Sequence, residues 1–397
     1  MIPYGKHKLY SDDIDAVVDV LQNHFLTQGN KVPEFEKALC DYTGAKYSVA
    51  VNSATSGLHI ACLAAGVGTG DTVWTTPNSF VATANCALYC GAKVDFIDMD
   101  PVTRNIDLNK LASKVSEAKK SKNLPKAIIA VHFAGFSCDM QRISDLFDGT
   151  GVVVIEDAAH GLGGAFRGTK IGSCQYSDMS IFSFHPVKSI TTAEGGAVLT
   201  NNGDLAQKLT LFAKHGVTRD RDFFDLENEL YEEQGPWYYQ QLVLGYNYRL
   251  SDLQAALGIS QLNRLDEHIS ARRRCANFYF DKLKELPLIL PAPDNEQQSG
   301  WHLFMVELSN NDDTDDLKLV LEKRRDIFLR LQEKGVGVNV HYIPIHLHPY
   351  YRNLGFNLGD YPNSERFYSR AITLPLYPTL TISDQQRVVD ALTDILL

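Results

Sequence analysis

Lys188 stands in "SFHPVKSITTAEGGAV" (183–198), between a proline and a Ser-Ile-Thr-Thr run, with glycines following at 195 and 196. The preceding "MSIFSFH" reads as a buried strand, so the lysine is delivered to the end of a sheet rather than to an outer helix face. There its amine is partly stripped of water, which lowers its pKa and makes it a usable nucleophile for Schiff-base chemistry. A second group suits the same chemistry. Asp157 closes the hydrophobic run of "VVVIEDAAHG", where it can pair with a pyridine nitrogen, keep it protonated and preserve a ring's capacity to absorb electrons. Taken alone, such an aspartate is equally a helix cap or an ion-pair partner. "VAVNSATSGLHI" adds a strand, a turn of small residues and a helix beginning near Thr55. Backbone amides at that helix start, with the hydroxyls of Ser53, Thr55 and Ser56, suit a dianionic phosphate. In "TTPNSFVATANC", Phe80 is placed to lie flat on a cofactor ring. Lysine, aspartate, phosphate site and aromatic lid together point to pyridoxal phosphate.

The elements that must position these groups are legible as a period change along the chain. From about residue 46 to 202, short β-branched runs alternate with helical patterns: "KYSVAVNS", "TVWTTP", "KVDFIDMD", "AIIAVHFAG", "VVVIEDA", "MSIFSFH" and "GAVLTNN". That alternation predicts an α/β domain with a largely parallel sheet covered on both faces. Ser53, His132, Asp157 and His185 all fall at strand ends, and ligands collect at the carboxyl edge of such sheets, so the four are expected to converge on one site. From about residue 250 the stretch "SDLQAALGISQLNRLDEHISARRRCANFYFDKLKEL" carries apolar residues at helical spacing. It predicts one long helix leading into a second lobe, so the chain divides into residues 1–245, a large cofactor-binding domain, and 246–397, a smaller domain. The acidic run "NNDDTDD" before Leu317 is expected as a solvated loop entering a helix.

Composition excludes several other functions. With 397 residues and 44% of them apolar, the chain can bury a sizeable core. Its 38 basic against 48 acidic residues give a net charge of −10 without long basic clusters, so nucleic acid is not expected as a partner. No apolar run is long enough for a membrane span, and the first fifteen or so residues lack the apolar core of a signal peptide, which predicts a cytoplasmic protein without membrane contact. The seven cysteines include no Cys-x-x-Cys pair and read as small buried hydrophobes, with Cys86 and Cys90 spaced for one helix face. "GVGTGD" precedes its strand and reads as a turn, and "GGAFRGTK" lacks the Gly-Lys-Ser/Thr of a nucleotide loop. His341, His346 and His348 in "VHYIPIHLHPYY" have no carboxylate or cysteine nearby in sequence, so they are expected to pack or touch substrate in a loop, not to bind metal.

These motifs resemble, in the same order, those of the DegT/DnrJ/EryC1 family of pyridoxal-phosphate-dependent sugar aminotransferases. The resemblance runs from about residue 9 to 395, through "LTQGNKVPEFE", "VNSATSGL", "VHFAGFSCDM", "VIEDAAHGLGG", "SFHPVKSITTAEGG", "GYNYRLSDLQAALG", "HYIPIHLHPYY" and "LPLYPTLT". It implies fold type I of the pyridoxal-phosphate transferases, a large mostly parallel sheet domain followed by a smaller C-terminal α+β domain. By resemblance Lys188 would carry the cofactor as a Schiff base, Asp157 would contact the pyridine nitrogen and His160 the neighbourhood of the ring hydroxyl. Ser183 with the Ala54–Thr55 turn would hold the phosphate, and Phe80 would cover the ring. Asn247 would reach the cofactor phosphate of a neighbouring subunit, which implies a homodimer with composite sites. Tyr4, Thr27, His341 and Tyr342 are carried over as sugar-side residues.

Family members that dehydrate sugars have histidine in place of this lysine; with Lys188 present, transamination is implied. The cofactor would pass between its pyridoxal and pyridoxamine forms while glutamate gives its amino group to a keto sugar. The "HPVK" version of the lysine motif looks most like members on the route to pseudaminic acid, which act at C4 of a UDP-linked 4-keto-6-deoxy-N-acetylhexosamine. Ser189 and Ala193 depart from that subgroup, where proline and glycine are expected. The alternatives are a GDP- or dTDP-linked 4-keto or 3-keto sugar, or a non-catalytic sensor of the same fold. Arg249 is charged and near Asn247 in sequence, but nothing in the sequence assigns the group that holds the donor carboxylate.

Overall fold

The computed structural model of the chain describes residues 1–225, 235–309 and 317–397. The expected acidic loop before Leu317 lies outside the described residues. All seven predicted runs are strands of one sheet: β1 (Tyr47–Val51), β2 (Thr72–Thr75), β3 (Lys93–Phe96), β4 (Ala127–Val131), β5 (Val153–Asp157), β8 (Met179–Ser183) and β9 (Gly196–Thr200). The hairpin β6 (Ala165–Phe166) and β7 (Thr169–Lys170) intervenes, and its turn carries Arg167 at φ 48° and Gly168 at φ 80°. "GGAFRGTK" is therefore a hairpin, and "GVGTGD" is the expected turn before β2. The sheet order is β1-β9-β8-β5-β4-β2-β3. Every pairing is parallel except those of β9, which runs antiparallel to both β1 and β8.

Side chains alternate across this sheet, as period-2 strands require. Val51, Ile129, Ile155, Ile181 and Val198 pack with α3 (Ala54–Ala64), α4 (Ala82–Tyr89) and α7 (Gly203–Ala213). On the other face, Ala50, Phe182, Ala197 and Leu199 meet α2 (Lys31–Thr43). Also on that face, Ile128, Ala130 and Val154 meet α5 (Leu108–Ser121) and α6 (Met140–Phe147). Helix starts follow capping chemistry. Ser53, Asp107, Asp139 and Asn202 accept first-turn amides of α3, α5, α6 and α7.

The expected single helix after residue 250 is two. α8 (Asp252–Leu262) opens with a Ser251/Gln254 capping box and ends at Asn263, and α9 (Leu265–Leu283) follows. The break lets each half serve a different surface. α8 packs on α1 (Ser11–Asn23) and α2, where buried Asp252 accepts the amides of Gly29 and Lys31, each at 2.9 Å. α9 gives Leu265 and Ile269 to the core under the large sheet, and Cys275, Ala276, Tyr279 and Leu283 to a second core. That second core is built from β14 (Phe304–Leu308), β15 (Ala371–Leu374), α10 (Leu317–Glu333) and α13 (Ile382–Leu396), and it includes Ile2 from the chain start. We propose that the lobes part after residue 245, with α8 and α9 carrying the chain from one core to the other. Small elements complete the fold: strands β10 (Val217–Thr218), β11 (Gln240–Gln241), β12 (Leu288–Ile289) and β13 (Gln297–Gln298), and helices α11 (Pro349–Arg352) and α12 (Pro362–Arg370). No helix among the described residues is long and apolar enough to cross a membrane. Cys62, Cys86, Cys138, Cys174 and Cys275 are buried, and Cys40 and Cys90 are half-buried.

One buried ion pair ties the two lobes. Arg104, after β3, donates from Nη2 to Glu307 Oε1 of β14 at 2.8 Å and from Nη1 to the Met305 carbonyl at 3.0 Å. Removing one partner strands the other charge in the interior, which typically costs about 3–5 kcal/mol. Arg104→Ala is expected to lower the unfolding free energy by that order, read as a lower midpoint at unchanged m in chemical unfolding, and Arg104→Met with Glu307→Leu to cost less than Arg104→Ala alone. A midpoint unchanged in Arg104→Ala would show that the pair is not a strut.

Candidate active site

The carboxyl ends of β1, β5 and β8 and the start of β9 share one edge of the sheet, and a cavity of about 390 Å³ opens there. Tyr4, Ala54, Thr55, Phe80, Asp157, His160, Ser183, Lys188, His341 and Tyr342 all line it. His185 lines it too, with Ser53 and Val187. His132 does not join them. It is fully buried on the sheet, with Nε2 2.6 Å from Glu156 Oε2 and Nδ1 accepting from the Cys138 amide. The neighbouring glutamate, invisible as a partner in sequence, turns this strand-end histidine into a structural group.

Lys188 is held by a folded-back loop. Phe184 N donates to Gly195 O at 2.9 Å, Thr192 N to Phe184 O at 3.0 Å and Lys188 N to His185 O at 2.9 Å. The threonines serve the loop: Thr191 Oγ1 donates to Phe184 O and accepts from Ala193 N, and Thr192 Oγ1 donates to Glu194 O. Ala193 adopts φ 66°, the left-handed region that glycine enters without cost and that costs an alanine about 1–2 kcal/mol. Burial lowers the Lys188 amine to about 8, Arg272 adds to the lowering, and Asp157 opposes it. The amine thus sits near neutral pH between nucleophile and ammonium.

Asp157 is fixed from two sides. Its Oδ2 accepts from Thr83 Oγ1 at 2.6 Å, and its Oδ1 accepts from Ala159 N at 3.2 Å. Thr83 Oγ1 in turn lies 2.7 Å from Ser79 Oγ. Since Thr83 donates to the carboxylate, Ser79 donates to Thr83. His160 accepts from Ala134 N at its Nδ1, and burial with the nearby Lys188 charge pushes it well below its ordinary pKa. A neutral ring whose Nδ1 accepts carries its proton on Nε2, which therefore donates to the Tyr342 hydroxyl at 3.2 Å. His341 bonds Thr373 Oγ1 at 2.8 Å and is lowered to about 4 by burial and then by Lys188. Burial, with Asp157 nearby, raises Tyr342. Phe80 is 57% exposed at the rim, its ring 6.1 Å from that of Tyr342.

The first turn of α3 forms the anion-binding end of this cavity. The amides of Ala54 and Thr55 head the helix, where no intrahelical acceptor exists for them. Gly196 lies so close that an added Cβ would come within 2.6 Å of Ala54 N and 2.7 Å of Ser53 C. Only a glycine lets β9 begin against the helix start and leave its amides open at this edge. A carboxylate, an amine near neutrality and an anion-binding helix start on one 390 Å³ cavity fit pyridoxal phosphate.

Thr27 and Asn247 lie outside this cavity, and both are exposed. Asn247 belongs to a segment whose neighbour Tyr248 accepts from Asn52 N and whose Arg249 bridges Val51, so it runs beside the anion-binding end. His346, expected without a carboxylate, bonds Glu365 Oε1 at 2.8 Å because α12 folds back onto its loop. Among the cavity residues that the sequence did not single out are Thr83 and His302. Thr83 sits one helical turn from Phe80 in a quoted motif, so its signal was present. His302 lines the cavity from 114 positions beyond Lys188, and only the fold brings it there.

Comparison with known proteins agrees with this geometry. Residues 7–393 match the model of the DegT/DnrJ/EryC1/StrS aminotransferase family. The chain is 38% identical over 399 residues, covering 100% of itself and 98% of its relative, to the UDP-4-amino-4,6-dideoxy-N-acetyl-beta-L-altrosamine transaminase of Campylobacter jejuni subsp. jejuni serotype O:2. It is 36% identical over 396 residues, 99% of itself and 97% of the relative, to the spore coat polysaccharide biosynthesis protein SpsC of Bacillus subtilis. Among solved structures, Helicobacter pylori PseC, an aminotransferase involved in biosynthesis of pseudoaminic acid, superposes with a TM-score of 0.86 at 30% identity, covering 100% of this chain and 99% of that one. The PMP form of Spr1654, a sugar aminotransferase of Streptococcus pneumoniae, gives 0.88 at 27% identity, with coverage of 100% and 99%.

The depressed Lys188 amine has a direct readout. In cofactor-free protein, acetylation by acetic anhydride followed peptide by peptide should reach half its limiting rate near pH 8 at Lys188, while exposed lysines follow their usual value near 10.4. A midpoint at Lys188 equal to that of surface lysines would contradict an enclosed amine.

Proposed function

The chain belongs to the DegT/DnrJ/EryC1/StrS aminotransferase family, and from that premise we propose that it moves an amino group from glutamate to the C4 keto carbon of a UDP-linked 4-keto-6-deoxy-N-acetylhexosamine, on the route to pseudaminic acid. The observation that carries this reading is the Lys188 amine enclosed with the Asp157 carboxylate at the anion-binding edge of the sheet. The substrate class is supported by the 38% identity to the Campylobacter transaminase. SpsC, at 36%, supports a second reading in which another nucleotide-linked keto sugar is aminated by the same chemistry.

Bound pyridoxal phosphate supplies an electron sink for the substrate carbon and, through its pyridoxamine form, carries the amino group from donor to acceptor. Lys188 attaches it, and once released takes a proton at the substrate carbon and returns it, a role suited to an amine poised near 8. Asp157, oriented by Thr83 and Ala159, contacts the pyridine nitrogen. Ser183 and the amides of Ala54 and Thr55 receive the phosphate, His160 stands by the ring hydroxyl and Phe80 covers the ring. Tyr4, His341 and Tyr342 face the sugar, while Thr27, outside this cavity, would contact it only in the cavity of a second copy.

The active unit is a homodimer in this reading, with the partner subunit's Asn247 reaching the phosphate. On α1, Ile14, Val18 and Leu21 form an exposed apolar stripe at helical spacing, with exposures of 54%, 39% and 56%, and Phe25, two residues past the helix end, is 77% exposed beside it. Such a stripe, beside the exposed Thr27, is what a second copy would cover. The compartment is the cytoplasm, consistent with seven free thiols.

The purified protein should be yellow, and borohydride should bleach it and fix the cofactor to Lys188. Lys188→Ala should form no such adduct, and Asp157→Ala should lose about 10²–10³-fold in kcat, the usual effect of deleting one preorganised electrostatic partner. A colourless protein that takes up no cofactor would sink the enzyme reading. With glutamate and a panel of nucleotide-linked keto sugars, the UDP-linked 4-keto-6-deoxy sugar should consume donor fastest; preference for a GDP- or dTDP-linked sugar would replace the first substrate reading with the second.

Composite sites predict complementation. Equal mixing and re-association of Lys188→Ala with Asn247→Ala should leave about one quarter of sites with both native groups. If each site is complete within one chain, the mixture shows no gain over the average of the two variants.

A further inference from the structure

Three histidines crowd Lys188, and their hydrogen bonds set one apart. His160 is engaged at both ring nitrogens, by Ala134 N and the Tyr342 hydroxyl, and His341 is anchored on Thr373 Oγ1. His302 is 4% exposed, its Nδ1 is buried with no hydrogen-bond partner, and its Nε2 faces Lys188 Nζ at 3.5 Å. Its ring also lies 4.4 Å from that of His160. The backbone that carries it is firmly held. His302 N donates to Ala134 O at 3.0 Å, and Arg272 Nη1 donates to the carbonyls of Trp301, His302 and Leu376. The ring is therefore fixed through its main chain and has Lys188 as its polar side-chain partner.

We infer that His302 is the positioning residue for the Lys188 amine, holding it beside the substrate carbon in the part of the cycle when that amine is free. The inference rests on the proposed role of Lys188. A neutral imidazole has one lone pair and one N–H. At His160 the bond from Ala134 decides which nitrogen bears the proton, whereas nothing bonded to Nδ1 of His302 does so. His302 can therefore accept from Lys188 as an ammonium and donate to it as a neutral amine, which are the two states of a lysine that takes and returns a proton. Catalytic hydrogen bonds before substrate binds are often long, and 3.5 Å is within that pattern.

The surrounding groups keep the ring neutral. Burial, then Lys188, His160, Arg272 and His341, hold His302 well below its ordinary pKa. The groups around the pair are Asp157 at the end of β5, His160 in the turn after it, Arg272 from α9, His341 and Tyr342 from the loop before α11, Tyr4 from the N-terminal segment, and His185 and Glu194 from the lysine loop. Asp157 favours the ammonium and Arg272 disfavours it. The His302 lone pair adds to the favourable side without adding a charge to the cavity.

The test uses cofactor-free protein and the pH dependence of Lys188 acetylation. His302→Phe keeps a planar ring and removes the acceptor. Because a charge-assisted bond outweighs its neutral counterpart, the midpoint should fall by about one pH unit, tenfold in the protonation constant. His302→Gln offers both an acceptor and a donor and should return the midpoint toward the native value. In the holoenzyme, His302→Phe should lower kcat with little change in KM, and His302→Gln should recover part of it. His302→Met takes the place of His302→Phe if thermal unfolding shows that the aromatic variant does not fold. A midpoint that is the same in native protein and in the variant without an acceptor, or one that falls equally in His302→Gln, overturns the inference. Borohydride fixation at Lys188 separates the two readings, since its absence in native protein would remove the proposed role of Lys188 itself.

Discussion

The site depends on enclosing one amine without leaving it uncompensated. An isolated ammonium in the interior is strongly disfavoured, and a bare carboxylate no less so. Lys188 and Asp157 share one cavity, and burial still wins for the lysine, leaving it at about 8. Such a balance needs rigid surroundings, and the loop from Ser183 to Gly196 supplies them. Thr191 and Thr192 satisfy its carbonyls, and Ala193 accepts a left-handed backbone to turn it. The reversal sends β9 back antiparallel, and the glycine that starts it lies against the first turn of α3. Lysine loop and anion site are thus two ends of one chain reversal.

The second lobe takes part through contacts that are short in space and long in sequence. α9 is the common beam: its first half packs under the large sheet, its second half forms the small core, and between them Arg272 holds the backbone of Trp301, His302 and Leu376. Arg272 is 2% exposed and bonds carbonyls there, where burial draws it down to about 10. The cation that steadies the small lobe beside the cavity also helps keep Lys188 depressed. Packing and chemistry are coupled here through one guanidinium.

Much of this was legible because it is written locally. Each strand of the large sheet is a short apolar run closed by a turn or cap, and Lys188, Asp157 and Ser183 owe their shared edge to strand direction alone. The break between α8 and α9 was not legible, because Asn263 and Arg264 are acceptable helix residues and the apolar period runs through them. His132 was misplaced for the same reason in reverse, since its carboxylate partner Glu156 comes within a hydrogen bond only on folding, and the pairing of His346, expected to pack in its loop, with Glu365 was hidden in the same way. His302 had no local sign at all. Its neighbours in sequence are core residues of the small lobe, and its place beside Lys188 is a product of the lobes meeting.

Among the described residues lining the cavity, Lys188 is the one lysine or arginine, and three of the four histidines, His160, His302 and His341, are held neutral by burial. A helix start can receive a phosphate, since aligned peptide dipoles place partial positive charge there. It cannot also balance the diphosphate of a nucleotide sugar and the carboxylate of an amino donor. On the proposed substrate reading, those charges fall to groups outside the lining of this cavity. Thr27, Asn247 and the apolar stripe of α1 are exposed on the same chain, and the proposed homodimer is the arrangement in which a second copy would bring such groups to the cavity.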